Sequence, residues 1–173
     1  MKTCMFTGHR PQGLPFGFNE NDPRCFELIK HLQDLIIEQI ERGFTHFLTG
    51  MALGVDTYAA ETVLRLRKKF PQITLEAVIP CKGQADRWRP MQEYNYYRIL
   101  KECDKITLLQ EKYTNDCMAK RNRYLVDNSE CMIAVWGCSD GGTAYTVRYA
   151  IKKGIDTVIM HPFTYSVMRS YEI

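Results

Sequence analysis

The chain has 173 residues, 45% of them hydrophobic and 25% charged, with a formal net charge of +3. A chain of this length suffices for one domain with a sizeable buried core and needs no staples. The weak positive charge permits an anionic ligand but falls well short of a dedicated nucleic-acid binder.

Residues 3–7 form the first predicted strand. A loop over 8–21 follows, with three glycines and two prolines. Pro23, behind Asn21 and Asp22, opens a helix that Gly43 closes; its apolar positions include Phe26, Ile29, Leu32, Ile36 and Ile40. Residues 44–48 are the second strand and 49–55 a glycine loop. A helix over 56–69 carries Ala59, Ala60, Val63, Leu64 and Leu66, and Pro71 stops it. The third strand is 73–79, followed by a loop over 80–89. Residues 90–103 form a helix rich in tyrosine (Tyr94, Tyr96, Tyr97). Strand four is 105–109, the next helix 118–129, strand five 131–136 and the loop after it 137–142. A last helix over 143–153 is closed by Gly154, and strand six is 155–160. The tail beyond it has no assignment. Apolar strands alternating with amphipathic helices predict an α/β fold. Its sheet is mostly parallel and six-stranded, with helices on both faces, in one domain over 1–173.

Seven cysteines are present, with no C-x-x-C and no histidine at zinc spacing. No metal site is expected. Reduced thiols fit a cytoplasmic protein. The first residues run straight into a polar loop, unlike a signal peptide. No apolar run approaches the ~20 residues of a membrane span.

In such a sheet, ligands bind outside the carboxyl ends of the strands. Three loops fall there. The first carries Gly8, His9 and Arg10. Arg10 suits phosphate or carboxylate, and His9 suits donation or acid–base work. The second is Thr49-Gly-Met-Ala-Leu-Gly-Val-Asp56. Gly50 and Gly54 allow close approach of a ligand, and the following helix offers free N–H groups to an anion. The alternative is a tight strand-to-helix turn capped by Asp56; a carboxylate there suits a cap or a ribose hydroxyl better than phosphate. The third loop ends in Gly141, Gly142 and Thr143 and repeats the device at a second helix start. Trp88, between Arg87 and Arg89, either stacks on a base or covers the edge of the Tyr-rich helix. In the basic stretch Lys120-Arg-Asn-Arg123, a mostly solvated face, Asn122 is placed on the inward side. No P-loop, G-x-G-x-x-G after strand one, nucleophile elbow or H-E-x-x-H occurs.

Thr7-Gly-His-Arg-Pro11, residues 49–56, Lys120-Arg-Asn122 and Gly141-Gly-Thr143 together resemble the YpsA-like (DUF1273) proteins of the SLOG superfamily, which also holds DprA and the LOG enzymes. The glycine loop is similar to the S-G-x-A-x-G-I-D of DprA, with Thr49 for the serine. The resemblance implies a Rossmann-like fold and a nucleotide or nucleotide-derived ligand. LOG enzymes carry P-G-G-x-G-T-x-x-E with a catalytic Glu. Here Thr146 takes that place, and a missing acid or base costs about 10²–10⁴-fold. The expected function is therefore binding or sensing of a nucleotide-derived small molecule, such as an ADP-ribose derivative. No catalytic residue and no required cofactor are assigned. The alternatives are an N-glycosidic hydrolase using Asp56, Asp140 or His9, and a single-stranded nucleic-acid binder. A homo-oligomer is left open.

Overall fold

A computed structural model describes residues 1–172. The strands are β1 (Lys2–Gly8), β2 (Phe44–Thr49), β3 (Thr74–Ile79), β4 (Lys105–Leu108), β5 (Cys131–Val135), β6 (Asp156–Met160) and β7 (Val167–Arg169). The helices are α1 (Pro23–Glu41), α2 (Val55–Leu66), α3 (Pro90–Glu102), α4 (Cys117–Asp127) and α5 (Gly142–Lys153). Strand order in the sheet is β4-β3-β2-β1-β5-β6-β7. The first six strands pair in parallel and β7 runs antiparallel to β6.

The seventh strand corrects the expected six. The unassigned tail turns back through hydrogen bonds from His161 N to Ser166 O and from Tyr165 N to His161 O. Long polar side chains hold it. Arg169 forks onto the Glu38 carboxylate, the Tyr171 hydroxyl donates to the same group, and the Arg42 guanidinium lies 3.6 Å from the Tyr171 ring centre. Contacts of this kind leave no hydrophobic period in a sequence.

β1 and β5 are central and buried on both sides. Their alternating side chains feed two cores. Phe6 and Phe47, stacked at 5.8 Å, face α1, α2 and α3 together with Leu32, Ile36 and Val63. Met5, Leu48 and Val78 face α4 and α5 with Leu125 and Val147. The Asp22 carboxylate caps α1 by accepting from Arg24 N at 2.8 Å. The buried stripe of α1 runs through Cys25, Leu28, Leu32, Ile36 and Ile40, which leaves Phe26, expected inward, 62% exposed. α2 stops three residues before the expected end. Its last turn tightens to i→i+3 bonds such as Lys69 N to Leu66 O, as fraying helix ends do. Six cysteines are buried or half-buried and Cys138 is exposed; none is bonded to another. Among the described residues no helix is long and apolar enough to cross a membrane.

One buried carboxylate sits in this sheet near the β4 edge. Glu76 lies on the face of Leu48 and Val78, toward the amino ends of the strands. It accepts from the Thr107 hydroxyl at 2.6 Å and from Lys105 Nζ at 3.2 Å, and it meets His46 Nε2 at 2.9 Å. Burial alone would raise its pKa, but the bonds from Thr107, His46 and Lys105 outweigh burial and hold it below the usual glutamate value. A depressed folded-state pKa stabilises the fold above the unfolded value of roughly 4.3, and that contribution is lost as pH falls through the folded value. Glu76→Gln is expected to cost about 1–3 kcal/mol at pH 7 and to flatten the acid limb of the stability profile. Urea titrations between pH 7 and pH 3 read both effects; an unchanged acid limb would remove Glu76 as its source.

Candidate functional site

The strand order reverses between β1 and β5, so the topological switch point lies at their carboxyl ends. Two of the three loops singled out from sequence interlock there, backbone against backbone. A Cβ on Gly8 would stand 2.6 Å from Val55 Cβ. Gly54 has φ +90°, and a Cβ there would stand 2.5 Å from the His9 carbonyl oxygen. Val55 N donates to that same His9 carbonyl at 3.3 Å. On Gly50, a Cβ would collide with the Arg121 guanidinium. The missing Cβ atoms at 8, 50 and 54 thus admit neighbouring parts of the protein itself.

The glycine loop also uses several of its own N–H groups. Met51 N donates to the Thr49 hydroxyl at 3.2 Å, and that fully buried hydroxyl donates to Asp56 O at 3.0 Å. Ala52 N donates to Asp56 Oδ2 at 3.2 Å. Asp56 therefore braces the loop from the first turn of α2 and is not its N-cap, a position held by Gly54. Burial raises the Asp56 pKa, opposed by the Arg121 charge, the Ala52 N–H and the Arg10 charge.

Arg121 is the residue that sequence reading missed. It is only 4% exposed, although it lies in the basic stretch assigned to solvent. Its guanidinium donates to Gly50 O and, through Nε, to Asn122 Oδ1 at 2.8 Å. The inward position given to Asn122 belongs to Arg121 instead; Asn122 is half-buried and orients the guanidinium. A signal existed: Cys117, Arg121 and Leu125 recur every four residues, and all three are buried. Gly50 O receives a second donor, Gln84 Nε2 at 3.1 Å, and the Gln84 side chain in turn accepts from the Tyr96 hydroxyl at 3.2 Å. The loop after β3 is anchored to the same carbonyl as α4.

Above this base lies a cleft of about 350 Å³. It is bounded by Arg10 and Gln12 of the first loop, Ala52 and Leu53 of the glycine loop, and Arg87 and Trp88 of the loop after β3. No carboxylate among the described residues lines it. Among the described residues neither Arg10 nor Arg87 has an ion-pair partner. Trp88 packs edge-on against Tyr96 with ring centres 5.3 Å apart, the covering role offered for it, and also forms a wall of the cleft.

His9 points the other way. Its Nε2 accepts from Gly137 N at 3.1 Å, so it bridges the switch point between the loops after β1 and β5. Burial, and then the charge of His161, lower its pKa and favour the neutral ring that this acceptor role requires. Gly141 and Gly142 are exposed at the start of α5, with no atom within 4 Å of an added Cβ. Half-buried Thr143 follows them. None of the three lines the arginine cleft. The Asp140 carboxylate is 93% exposed and meets Arg148 at 3.3 Å. The Thr146 hydroxyl turns back onto Gly142 O at 2.8 Å.

Gly54→Ala is expected to lose about 1–3 kcal/mol or more, from backbone strain plus the clash with His9. Gly142→Ala, whose Cβ meets open space, is expected to stay within about 0.5 kcal/mol of the parent. Thermal unfolding of the two variants compares them directly, and equal losses would contradict the packing role of Gly54.

The family model described as YspA SLOG family matches residues 4–168. The SPbeta prophage-derived protein YoqJ of Bacillus subtilis, itself described as uncharacterized, is 33% identical over 138 residues, covering 70% of this chain and 81% of that one. A UPF0398 protein of Bacillus cereus is 29% identical over 158 residues, covering 89% and 85%. Among solved structures, DNA processing protein A (DprA) of Streptococcus pneumoniae superposes with a TM-score of 0.59 at 18% identity, over 92% of this chain. This chain spans half of the pneumococcal one. DprA of Helicobacter pylori gives 0.61 at 19% identity, covering 95% of this chain and 68% of that one. At such identities the DprA structures share the fold, and the nearly full-length family match makes this chain a member of the YspA SLOG family.

Proposed function

We propose that the cleft between Arg10 and Arg87 binds the phosphate of a nucleotide-derived small molecule, a class that includes ADP-ribose-like ligands. One observation carries the reading. Two guanidinium groups from separate loops border one cleft; among the described residues no carboxylate lines it and neither group makes an ion pair. Guanidinium forks suit phosphate oxygens. The Gln12 amide adds a donor, and Leu53 with Trp88 adds an apolar wall for a sugar or base.

Binding is better supported than N-glycosidic cleavage. Asp56 is buried beneath the loop, Asp140 is exposed and paired with Arg148, and the His9 ring is engaged with Gly137. A general acid or base must reach the proton it transfers, and none of the three lines the arginine cleft.

Calorimetry with nucleoside monophosphates, ADP-ribose and NAD is expected to detect binding. Arg10→Ala and Arg87→Ala should each weaken it about 10-fold or more, the scale of a charge-assisted hydrogen bond. Absence of heat with every compound would refute the reading.

A second reading rests on the run Arg87-Trp88-Arg89, of which Arg87 and Trp88 line the cleft, and which combines cations with a stacking ring. The H. pylori DprA structure is described as revealing a single-stranded DNA binding mode, and this chain shares that fold. On this reading an oligonucleotide binds at low salt and its affinity falls steeply between about 50 and 200 mM salt. Fluorescence anisotropy measures this, and no binding at the lower salt removes the reading.

A further inference from the structure

A second pocket, of about 290 Å³, opens beside the arginine cleft and shares Leu53 and Trp88 with it. Its chemistry is the opposite. Phe18, Trp88, Met91 and Tyr94 give it flat apolar walls, and Glu20 and Glu61 give it carboxylates. The edge-on contact with Tyr96 fixes the plane of the Trp88 ring. The Glu61 carboxylate is already held by Arg98. The Glu20 carboxylate has no hydrogen-bond or ion-pair partner among the described residues. Burial, and then the neighbouring charge of Glu61, push the Glu20 pKa above the usual glutamate value. Arg89, 5.3 Å from the Phe18 ring centre, stacks there and makes no ion pair with Glu20. Each pocket alone is near the small end of the roughly 300–1,000 Å³ of ligand sites, so one ligand spanning both is the economical occupant.

We propose that this second pocket receives the base of the nucleotide and that the base is guanine, with its N1–H and exocyclic N2–H donors met by the Glu20 carboxylate. This rests on the phosphate reading of the arginine cleft and narrows it. A carboxylate only accepts hydrogen bonds. Guanine offers it two adjacent donors on one edge. Adenine offers one donor beside the bare N1 acceptor, which a carboxylate repels. Aromatic walls stack on either purine, so the walls supply affinity and the carboxylate supplies the choice.

The test is calorimetry of the full chain with GMP, IMP and AMP, on the parent, Glu20→Gln and Arg10→Ala. Glu20 is exposed enough for glutamine to leave the fold intact. In the parent, GMP is expected to bind about 10-fold or more tighter than AMP, with IMP, which lacks the N2 amine, between them. Glu20→Gln should weaken GMP about 10-fold and leave AMP within about threefold, closing the gap. Arg10→Ala should weaken all three together. AMP binding as tightly as GMP, or a gap that survives Glu20→Gln, overturns the guanine assignment. If those results come with binding that still depends on Arg10, the phosphate reading stands without it. If no nucleotide binds, both fall.

Discussion

A guanidinium buried beneath a glycine loop must have its charge and its N–H groups satisfied, or the desolvation cost is several kcal/mol. Arg121 meets that condition through the Gly50 carbonyl, the Asn122 amide oxygen and the opposing charge of Asp56. The arrangement dictates much around it. Position 50 must lack a Cβ, because the guanidinium occupies that space. Asp56 must point back under the loop, where it also holds Ala52 N. Gln84 adds its donor to the same carbonyl and brings the loop after β3 into place. Helix α4, the glycine loop and the Arg87–Trp88 segment are thereby set relative to one another.

The charges above this base follow. Asp56 and Arg121 offset each other inside, and among the described residues Arg10 and Arg87 make no ion pair at the cleft. Both charged side chains that line the cleft are therefore cations, although the whole chain carries only +3. The glycine pattern that suggests a phosphate cradle also lets two loops and a buried arginine approach closely. His9 links the loops after β1 and β5 by accepting from Gly137 N.

Most of the fold was legible because it rests on local signals. Continuous apolar runs gave β1, β2, β3, β5 and β6, and Pro23 behind Asp22 gave the start of α1. The tail was illegible because β7 is three residues long and is held by Glu38, Arg42 and Tyr171 rather than by a periodic apolar face. Within the site, Arg10 and the loops at the carboxyl ends of the strands could be found by their place after strands. Arg121 was obscured by its basic neighbours, and only the four-residue spacing with Cys117 and Leu125 sets it apart.

The amino-acid sequence by itself determined the α/β alternation, the parallel sheet and the placing of three loops at one end of it, because strand and helix periodicity and turn residues act over a few positions. The tertiary structure alone decided which groups meet there. Whether a glycine faces a ligand or another loop, and whether an arginine is solvated or buried, depends on contacts between residues 50 and 121, or 9 and 137, that are distant in the chain. Arg10 and Arg87 border one cleft, and Gly141, Gly142 and Thr143 are not among its lining residues.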